Sequence, residues 1–299
     1  MKRFKHILGY IPHNSSDAVV LNWCGKIAKF ADSRSVDIII CYEDFYKGLQ
    51  TSSLDWGEFA KGEVARLSEL AAEKIIGVDL EIIVLKDSPA KGVLERLSSG
   101  SYDLMVLPKE STYGISLVEK LARKSPVGVL IVPHDSEPVF SSILLGVDFA
   151  DLCPLSLKWA EAFGEINPGA SELHVHHVFS LPRNSRALQA TDPHMLRSRL
   201  DDISKHSLND FIVENSEQPE KWNQTVSEDP LPGIQMLRIA EELKSDLVVI
   251  GSHGRHALSV ALLGGQTSDM IRETTVPLLI AKRKNESLGF LKQLLGLSS

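Results

Sequence analysis

The amino-acid sequence predicts an α/β protein made of two tandem domains, each a doubly wound, five-stranded parallel sheet. Three observations lead to this prediction. The 299 residues are enough for two domains that each bury a core. Short apolar runs, continuous rather than alternating, are interleaved with helical segments, which is typical of parallel sheets covered on both faces. The same order of runs and helical segments occurs twice along the chain.

Five strands and two helices are predicted in the first half from these patterns. Each strand is an apolar run bounded by polar residues, and each helix has apolar residues at helical spacing. In chain order the elements are strand Ile7–Ile11, helix Asp17–Ala31, strands Val36–Cys41 and Glu81–Leu85, helix Pro89–Leu97, and strands Asp103–Leu107 and Val127–Val132.

The second half repeats this order with one longer insertion. The insertion has helical spacing over Met195–Ile212, followed by a charged loop over Glu214–Lys221. The repeated elements are strand Ile143–Asp148, helix Leu155–Phe163, strands Glu172–Phe179 and Asn223–Ser227, helix Pro232–Leu243, and strands Asp246–Ile250 and Val276–Ala281.

The two halves join where prolines and polar residues interrupt the strand pattern, between Pro133 and Pro138. We therefore predict domains over residues 1–136 and 137–284, and a tail over residues 285–299. Within the tail, Leu288–Leu297 is amphipathic but carries a single basic residue. We expect it to dock on protein rather than on a membrane.

The composition excludes several classes of function. A formal net charge of −7 works against nucleic-acid binding, which needs a basic surface. The apolar runs are strand-sized, so no membrane span is expected. The three cysteines are scattered without a metal or disulfide spacing, which favours a reducing cytoplasm. His174, His176 and His177 crowd one strand but have no second cluster to complete a metal site.

A glycine-rich segment follows the fourth strand of the second half and carries the most chemical information. It reads Gly251-Ser252-His253-Gly254, then nine residues, then Gly264-Gly265-Gln266-Thr267. Glycines let the backbone approach a ligand closely. A helix is predicted over Gln266–Glu273, and its first amides would form an anion site for phosphates. The alternative is that these glycines serve turning and packing alone.

The spacing of these glycines, between a buried strand and a closing Val-Pro-apolar strand, resembles the nucleotide-binding signature of the universal stress protein family. The resemblance extends over both halves of the chain and is strongest at Asp246–Lys282. It implies the adenine nucleotide α-hydrolase-like fold, with the two domains packed as a pseudo-dimer. It also implies a stress-response regulator that binds ATP, AMP or ADP, with Mg²⁺ as an accompanying ion, and that signals through a protein partner or a homodimer.

The resemblance assigns roles to individual residues of the second half. Asp148 matches the acidic residue beside the nucleotide, although it could instead cap the following helix. Val178 matches the position whose backbone meets the adenine. Gly251, Gly254 and Gly264 match the glycines that cradle ribose and phosphates, and the segments around them add Ser252, His253, Gly265, Gln266 and Thr267 to the predicted site.

Gly265 departs from the family pattern, because similar ATP-binding members have Ser or Thr there. Losing that hydroxyl would cost about 1–2 kcal/mol. Thr267 or Ser268 is a candidate replacement donor, and the amide of Gly265 remains available.

The first half lacks the corresponding site. Ile11 is predicted to stand where Asp148 stands, and Pro108 begins a segment without paired glycines. A proline has no amide to offer a phosphate. Signatures of P-loop NTPases, dinucleotide-binding enzymes and hydrolases are absent from the sequence. No catalytic residues are therefore predicted, and the alternatives are a weak ATP hydrolase or autokinase and a scaffold that binds no nucleotide.

Overall fold

The computed structural model describes residues 4–42, 55–109, 114–167, 169–181, 192–252 and 264–284. The chain divides into two compact units. The first comprises Met1–Pro138 with Lys282–Ser299, and the second comprises Val139–Ala281. The predicted tail begins at residue 285 and lies outside the described residues.

The first unit contains a parallel sheet in the order β3-β2-β1-β4-β5. Its first strand is therefore flanked by its second and fourth strands. The elements are β1 (His6–Ile11), α1 (Asp17–Ala31), β2 (Ser35–Cys41), α2 (Trp56–Ala72), β3 (Asp79–Leu85), α3 (Pro89–Ser99), β4 (Leu104–Pro108), α4 (Ile115–Lys124) and β5 (Gly128–Val132).

The second unit contains a parallel sheet of the same design, in the order β10-β9-β6-β7-β8. Its first strand, β6, is likewise flanked by the second and fourth strands of its unit. The elements are β6 (Ser142–Gly146), α5 (Cys153–Gly164), β7 (Glu172–Phe179), α6 (Pro193–Asn215), β8 (Trp222–Glu228), α7 (Pro232–Glu242), β9 (Leu247–Gly251), α8 (Gly265–Glu273) and β10 (Leu278–Ala281), with a short 3₁₀ turn at Pro219–Lys221.

The cores form where the strands are buried on both faces. Every residue of β4 and β5 is buried, as are the first four residues of β9. Continuous apolar runs have this pattern because neither face of such a strand meets water. The α/β class and the parallel sheets predicted from the sequence are confirmed.

Two helices of the first unit, α2 and α4, were not among the elements predicted from the sequence. Helix α2 contains Gly57 and Gly62 and buries only Glu63, Leu67 and Ala71. Helix α4 is short and likewise buries three residues. Helix α2 has few buried apolar residues, which weakens its helical pattern, whereas α4 has a clear apolar face but only ten residues, too few for the pattern to stand out.

The strand registers correct one correspondence drawn from the sequence. Ile7 pairs with Leu104 in the first unit, and Ile143 pairs with Leu247 in the second. Counting from these pairs, Ile11 corresponds to Val147. The residue at the position of Asp148 is therefore Pro12.

No helix within the described ranges is long and apolar enough to cross a membrane.

Candidate functional site

The candidate site lies at the carboxyl edge of the second sheet, next to β6. The neighbours of β6 are β7 on one side and β9 on the other. The strand order therefore reverses its direction at β6. Ligands of open parallel sheets bind at such a reversal, just beyond the carboxyl ends of the strands.

Asp148 lies in the turn that follows β6. The predicted strand ran to Asp148, but the strand ends at Gly146. The residue is exposed, and its Oδ1 accepts hydrogen bonds from the amide of Ala150 at 3.1 Å and from the thiol of Cys153 at 3.2 Å. Cys153 is the first residue of α5. The carboxylate thus orders the turn before α5 and remains open to solvent.

The two described ends of the glycine-rich segment lie together. Gly251 ends β9, and the amide of the buried Ser252 donates to the carbonyl of Ala281 in β10 at 3.1 Å. The amide of Gly264 donates to the carbonyl of Ser252 at 3.3 Å. The start of α8 is therefore held against the carboxyl end of β9. His253 and Gly254 lie outside the described residues.

The start of α8 has the form of an anion site. Gly264 is its N-cap residue and provides no side-chain cap. The first amides of a helix have no partner within the helix and carry its positive dipole end. Gly265 and Gln266 are exposed, and a Cβ placed on Gly265 would meet no described atom within 4 Å. The residues present therefore fit an anionic group such as a phosphate.

Gln266 also has a structural contact. Its Oε1 accepts a hydrogen bond of 2.8 Å from the amide of Gly233. Gly233 lies in the first turn of α7, so this bond joins the starts of α7 and α8. Thr267 and Ser268, the candidate replacement donors, are both buried, at 6% and 7% exposure.

Val178 lies on the other side of β6. It is buried in β7 and pairs with Ser227 of β8. Strand β7 adjoins the turn after β6, because the amide of Val147 donates to the carbonyl of His176 at 3.0 Å. Val178 and the glycine-rich segment thus flank β6 on opposite sides.

The histidines of β7 have separate partners. His176 is 1% exposed, and its ring nitrogens lie 2.7 Å from Thr225 Oγ1 and 2.9 Å from Ser227 Oγ. Burial, and secondarily the neighbouring His177, lower the pKa of His176 to about 4. Within the described ranges no group of His, Cys, Asp or Glu side chains could hold a metal ion.

The first unit has a network of charged and polar side chains at its own carboxyl edge, which sequence reasoning missed. Arg66 of α2 binds Asp17 at 3.1 Å and Glu63 at 3.0 Å. The hydroxyl of Tyr42 donates to Glu63 at 2.8 Å, and His13 Nδ1 lies 3.2 Å from the same carboxylate. Burial opposes ionisation of Glu63, but the bonds from Arg66 and Tyr42 outweigh it and lower its pKa. Only tertiary structure brings these distant residues together.

A cavity of about 360 Å³ lies elsewhere, between α7 and α8. Ile234, Leu237 and Arg238 line one side, and Asp269 and Arg272 line the other. None of the predicted site residues lines this cavity. It is therefore separate from the candidate site.

The fold and the site define the second unit as a doubly wound α/β domain with a helix N-terminus and an exposed carboxylate at its ligand-binding edge. The model of the universal stress protein family matches residues 140–282. The second unit, Val139–Ala281, is thus similar to this family over nearly its whole length.

Individual proteins are similar to the chain in sequence or in fold. Universal stress protein MJ0577 from Methanocaldococcus jannaschii is 26% identical over 161 residues, which is 49% of this chain and 98% of the relative. Two solved structures are similar over most of the chain. A protein of unknown function from Pseudomonas aeruginosa has a TM-score of 0.72 at 18% identity and covers 99% of both chains. A universal stress protein from Archaeoglobus fulgidus has a TM-score of 0.62 at 18% identity, over 94% of this chain and 97% of its own.

Proposed function

We propose that the second unit binds an adenine nucleotide, ATP in the first instance, at the carboxyl edge next to β6. The observation that carries this proposal is the hydrogen bond between Gly264 and Ser252. It holds the uncapped start of α8 against the end of β9. Phosphates would bind the first amides of α8, and Asp148 would contact the nucleoside.

The charges of the proposed site match those of a nucleotide. Helix amides attract the anionic phosphates, while the carboxylate of Asp148 accepts hydrogen bonds from neutral groups such as ribose hydroxyls. Asp148 and Ser252 follow the adjacent strands β6 and β9, each three residues beyond the paired residues Leu145 and Val249. The two kinds of group are thus supplied by neighbouring strand ends.

Gly265 determines how strongly this site holds phosphate. Its backbone is outside the left-handed region, and a Cβ here would meet no described atom within 4 Å. Neither the backbone conformation nor contact with the described residues requires a glycine here. The glycine therefore removes a phosphate donor without a structural gain, and we propose a weaker ATP site than one that carries a hydroxyl at this position.

The wider role follows from the repeated design. We propose that the whole chain is a tandem universal stress protein whose two units pair as an internal pseudo-dimer, and that it acts in the cytoplasm as a stress-response regulator. The first unit has Pro12 and Pro108 where a nucleotide site needs a carboxylate and an amide, so we assign it a scaffold role. Nucleotide occupancy of the second unit, with Mg²⁺ on the phosphates, would change contacts with a protein partner or a second copy.

Displacement of a fluorescent ATP analogue from the nucleotide-stripped full chain tests the ligand class. We expect ATP, ADP and AMP to displace the probe, and GTP to do so only at much higher concentration. Displacement by inorganic triphosphate at the same concentration as ATP would show that the site recognises only the phosphates. No binding of the probe at millimolar concentration would reject the proposal and leave a scaffold. Release of phosphate measured in parallel would separate binding from hydrolysis.

A further inference from the structure

The turn after β6 contains an aromatic residue with an unusual backbone conformation. Phe149, directly after Asp148, has φ of 60°. Positive φ is a genuine outlier for a bulky side chain, and it persists only where surrounding contacts hold it. The contacts that hold Phe149 therefore also determine where Asp148 lies.

Two aromatic rings pack against the Phe149 side chain. Its ring centroid lies 4.6 Å from that of His177 in β7 and 6.2 Å from that of Phe211 in α6. His177 is itself fixed, because its Nδ1 lies 2.7 Å from the carbonyl oxygen of Val147. Phe211 is 9% exposed. The turn is thus clamped between a strand and the long helix α6.

The first unit repeats the turn with different contacts. His13 corresponds to Phe149 in the strand register and has φ of 62°. Its ring lies edge-on to Tyr42, with centroids 5.6 Å apart, and its Nδ1 lies 3.2 Å from Glu63 of α2. In both units, therefore, the left-handed residue connects the end of the first strand to the helix that follows the second strand.

We propose that Phe149 is a positioning residue that couples helix α6 to Asp148. Phe211 holds the Phe149 ring, the ring holds the left-handed turn, and the turn holds the carboxylate at the edge of the candidate site. A movement of α6 would therefore move Asp148, and a ligand on Asp148 would stabilise α6. The last statement rests on the proposed function, whereas the mechanical coupling does not.

Cys153 provides a reporter of the turn that needs no ligand. Its thiol donates to Asp148 and is 2% exposed. Burial, and secondarily the charge of Asp148, raise the pKa of Cys153 to about 12, so its alkylation in the native chain should be slow. Loosening the turn should expose the thiol. Peptide-resolved mass spectrometry of alkylated full chain measures this rate at one position.

Four variants test the coupling by this readout. Phe149→Asn removes the ring but tolerates positive φ, and Phe211→Ala removes the partner ring on α6. Each should raise the rate of Cys153 alkylation at least fivefold. The double variant should react no faster than the faster single variant, because both act through one clamp. Phe149→His, which copies the residue of the first unit, should restore the slow rate.

Phe140→Leu is the matched control for general destabilisation. Phe140 packs against Phe163 with centroids 5.2 Å apart, and it precedes β6 at the opposite end of the strand. This variant should leave the Cys153 rate within twofold of the wild type. A wild-type rate in Phe211→Ala, additive effects in the double variant, or an equal rise in Phe140→Leu would overturn the proposal.

ATP titration of the same variants distinguishes failure of the coupling from failure of nucleotide binding. If the wild type binds ATP, Phe149→Asn and Phe211→Ala should each weaken the affinity, and hydrogen exchange in α6 should slow on binding. An unchanged affinity in Phe211→Ala, or unchanged exchange in α6, would overturn the coupling while nucleotide binding stands. If the wild type binds no ATP, the proposed function fails, and the alkylation rates alone decide the coupling.

Discussion

The backbone amide of Gly264 donates a hydrogen bond of 3.3 Å to the carbonyl oxygen of Ser252. These residues flank segment 253–263, which lies outside the described residues. The bond joins the end of β9 to the start of α8 and so places a strand end and a helix N-terminus at one edge. This pairing is the structural basis of the proposed nucleotide site.

Gly265→Ser should strengthen ATP binding about tenfold, the equivalent of one added hydrogen bond. The new side chain would meet no described atom within 4 Å at the exposed start of α8, so no clash with the described residues offsets the gain. Calorimetric titration measures the affinity. Gly265→Ala adds the same Cβ without the hydroxyl and should bind like the wild type. Equal affinities in the Ser and Ala variants would show that no phosphate lies near this position.

Asp148→Asn should weaken ATP binding about tenfold, because it removes a charged acceptor of hydrogen bonds. The amide oxygen of Asn can still accept from Ala150, so the turn should persist. The measurement is the dissociation constant, with the circular dichroism spectrum as a check on folding. Asp151→Asn, in the same turn, is the control and should bind like the wild type. An unchanged affinity in Asp148→Asn would place the nucleoside elsewhere.

The stability of the second unit should fall as the pH is lowered from about 6.5 to about 4. The pKa of His176 is lowered to about 4 in the folded chain, so the unfolded chain binds the extra proton across this window. At the lower end of this window, protonation of His176 in the unfolded chain would lower the free energy of unfolding by roughly 3 kcal/mol. Hydrogen exchange of β7 and β8 peptides measures the loss. His176→Gln keeps hydrogen-bonding capacity without titrating, and it should show a shallower dependence; equal slopes would contradict the assignment.

Arg66→Met should destabilise the first unit by about 3 kcal/mol, since it leaves buried carboxylates without their cation. The side chains of Asp17 and Glu63 are only 6% and 10% exposed. Hydrogen exchange resolved by peptide gives the unfolding free energy of each unit separately. Lys91→Met removes an exposed ion pair with Asp87 and should change nothing measurable. A similarly small effect in Arg66→Met would show that the network contributes no stability.

The sequence predicts the sheets well because continuous apolar runs such as Ile143–Leu145 leave few alternatives to a buried strand. The sequence also locates the segments around Gly251 and Gly264, because the spacing of their glycines is visible without the structure. Helix α2 was not predicted because its buried face includes Glu63, a charged residue that sequence patterns assign to the solvent-exposed side. The charge of Glu63 is balanced by Arg66, three residues further along α2, and by the hydroxyl of Tyr42, a partner that only the folded structure reveals.

The finer details of the site depend on geometry that no local pattern encodes. The sequence suggests Gln266 as a phosphate contact, but its side chain also accepts a hydrogen bond from the amide of Gly233 and so joins α7 to α8. Phe149 looks like an ordinary apolar residue in the sequence, which shows neither its positive φ nor its contacts with His177 and Phe211. The one-residue error at Ile11 shows the same limit. Only strand register assigns Pro12 to the position of Asp148.

Calorimetric titration of the nucleotide-stripped chain with ATP and Mg²⁺ tests the central claim most directly. Two variants sharpen it. Gly265→Trp places a bulky side chain at the start of α8, and Gly62→Trp makes the same change on the first unit; at both positions a Cβ would meet no described atom within 4 Å. We predict saturable binding at one site per chain in the wild type and in Gly62→Trp, and its loss in Gly265→Trp. Binding that survives in Gly265→Trp, or no binding to the wild type at millimolar ATP, would contradict a nucleotide site in the second unit.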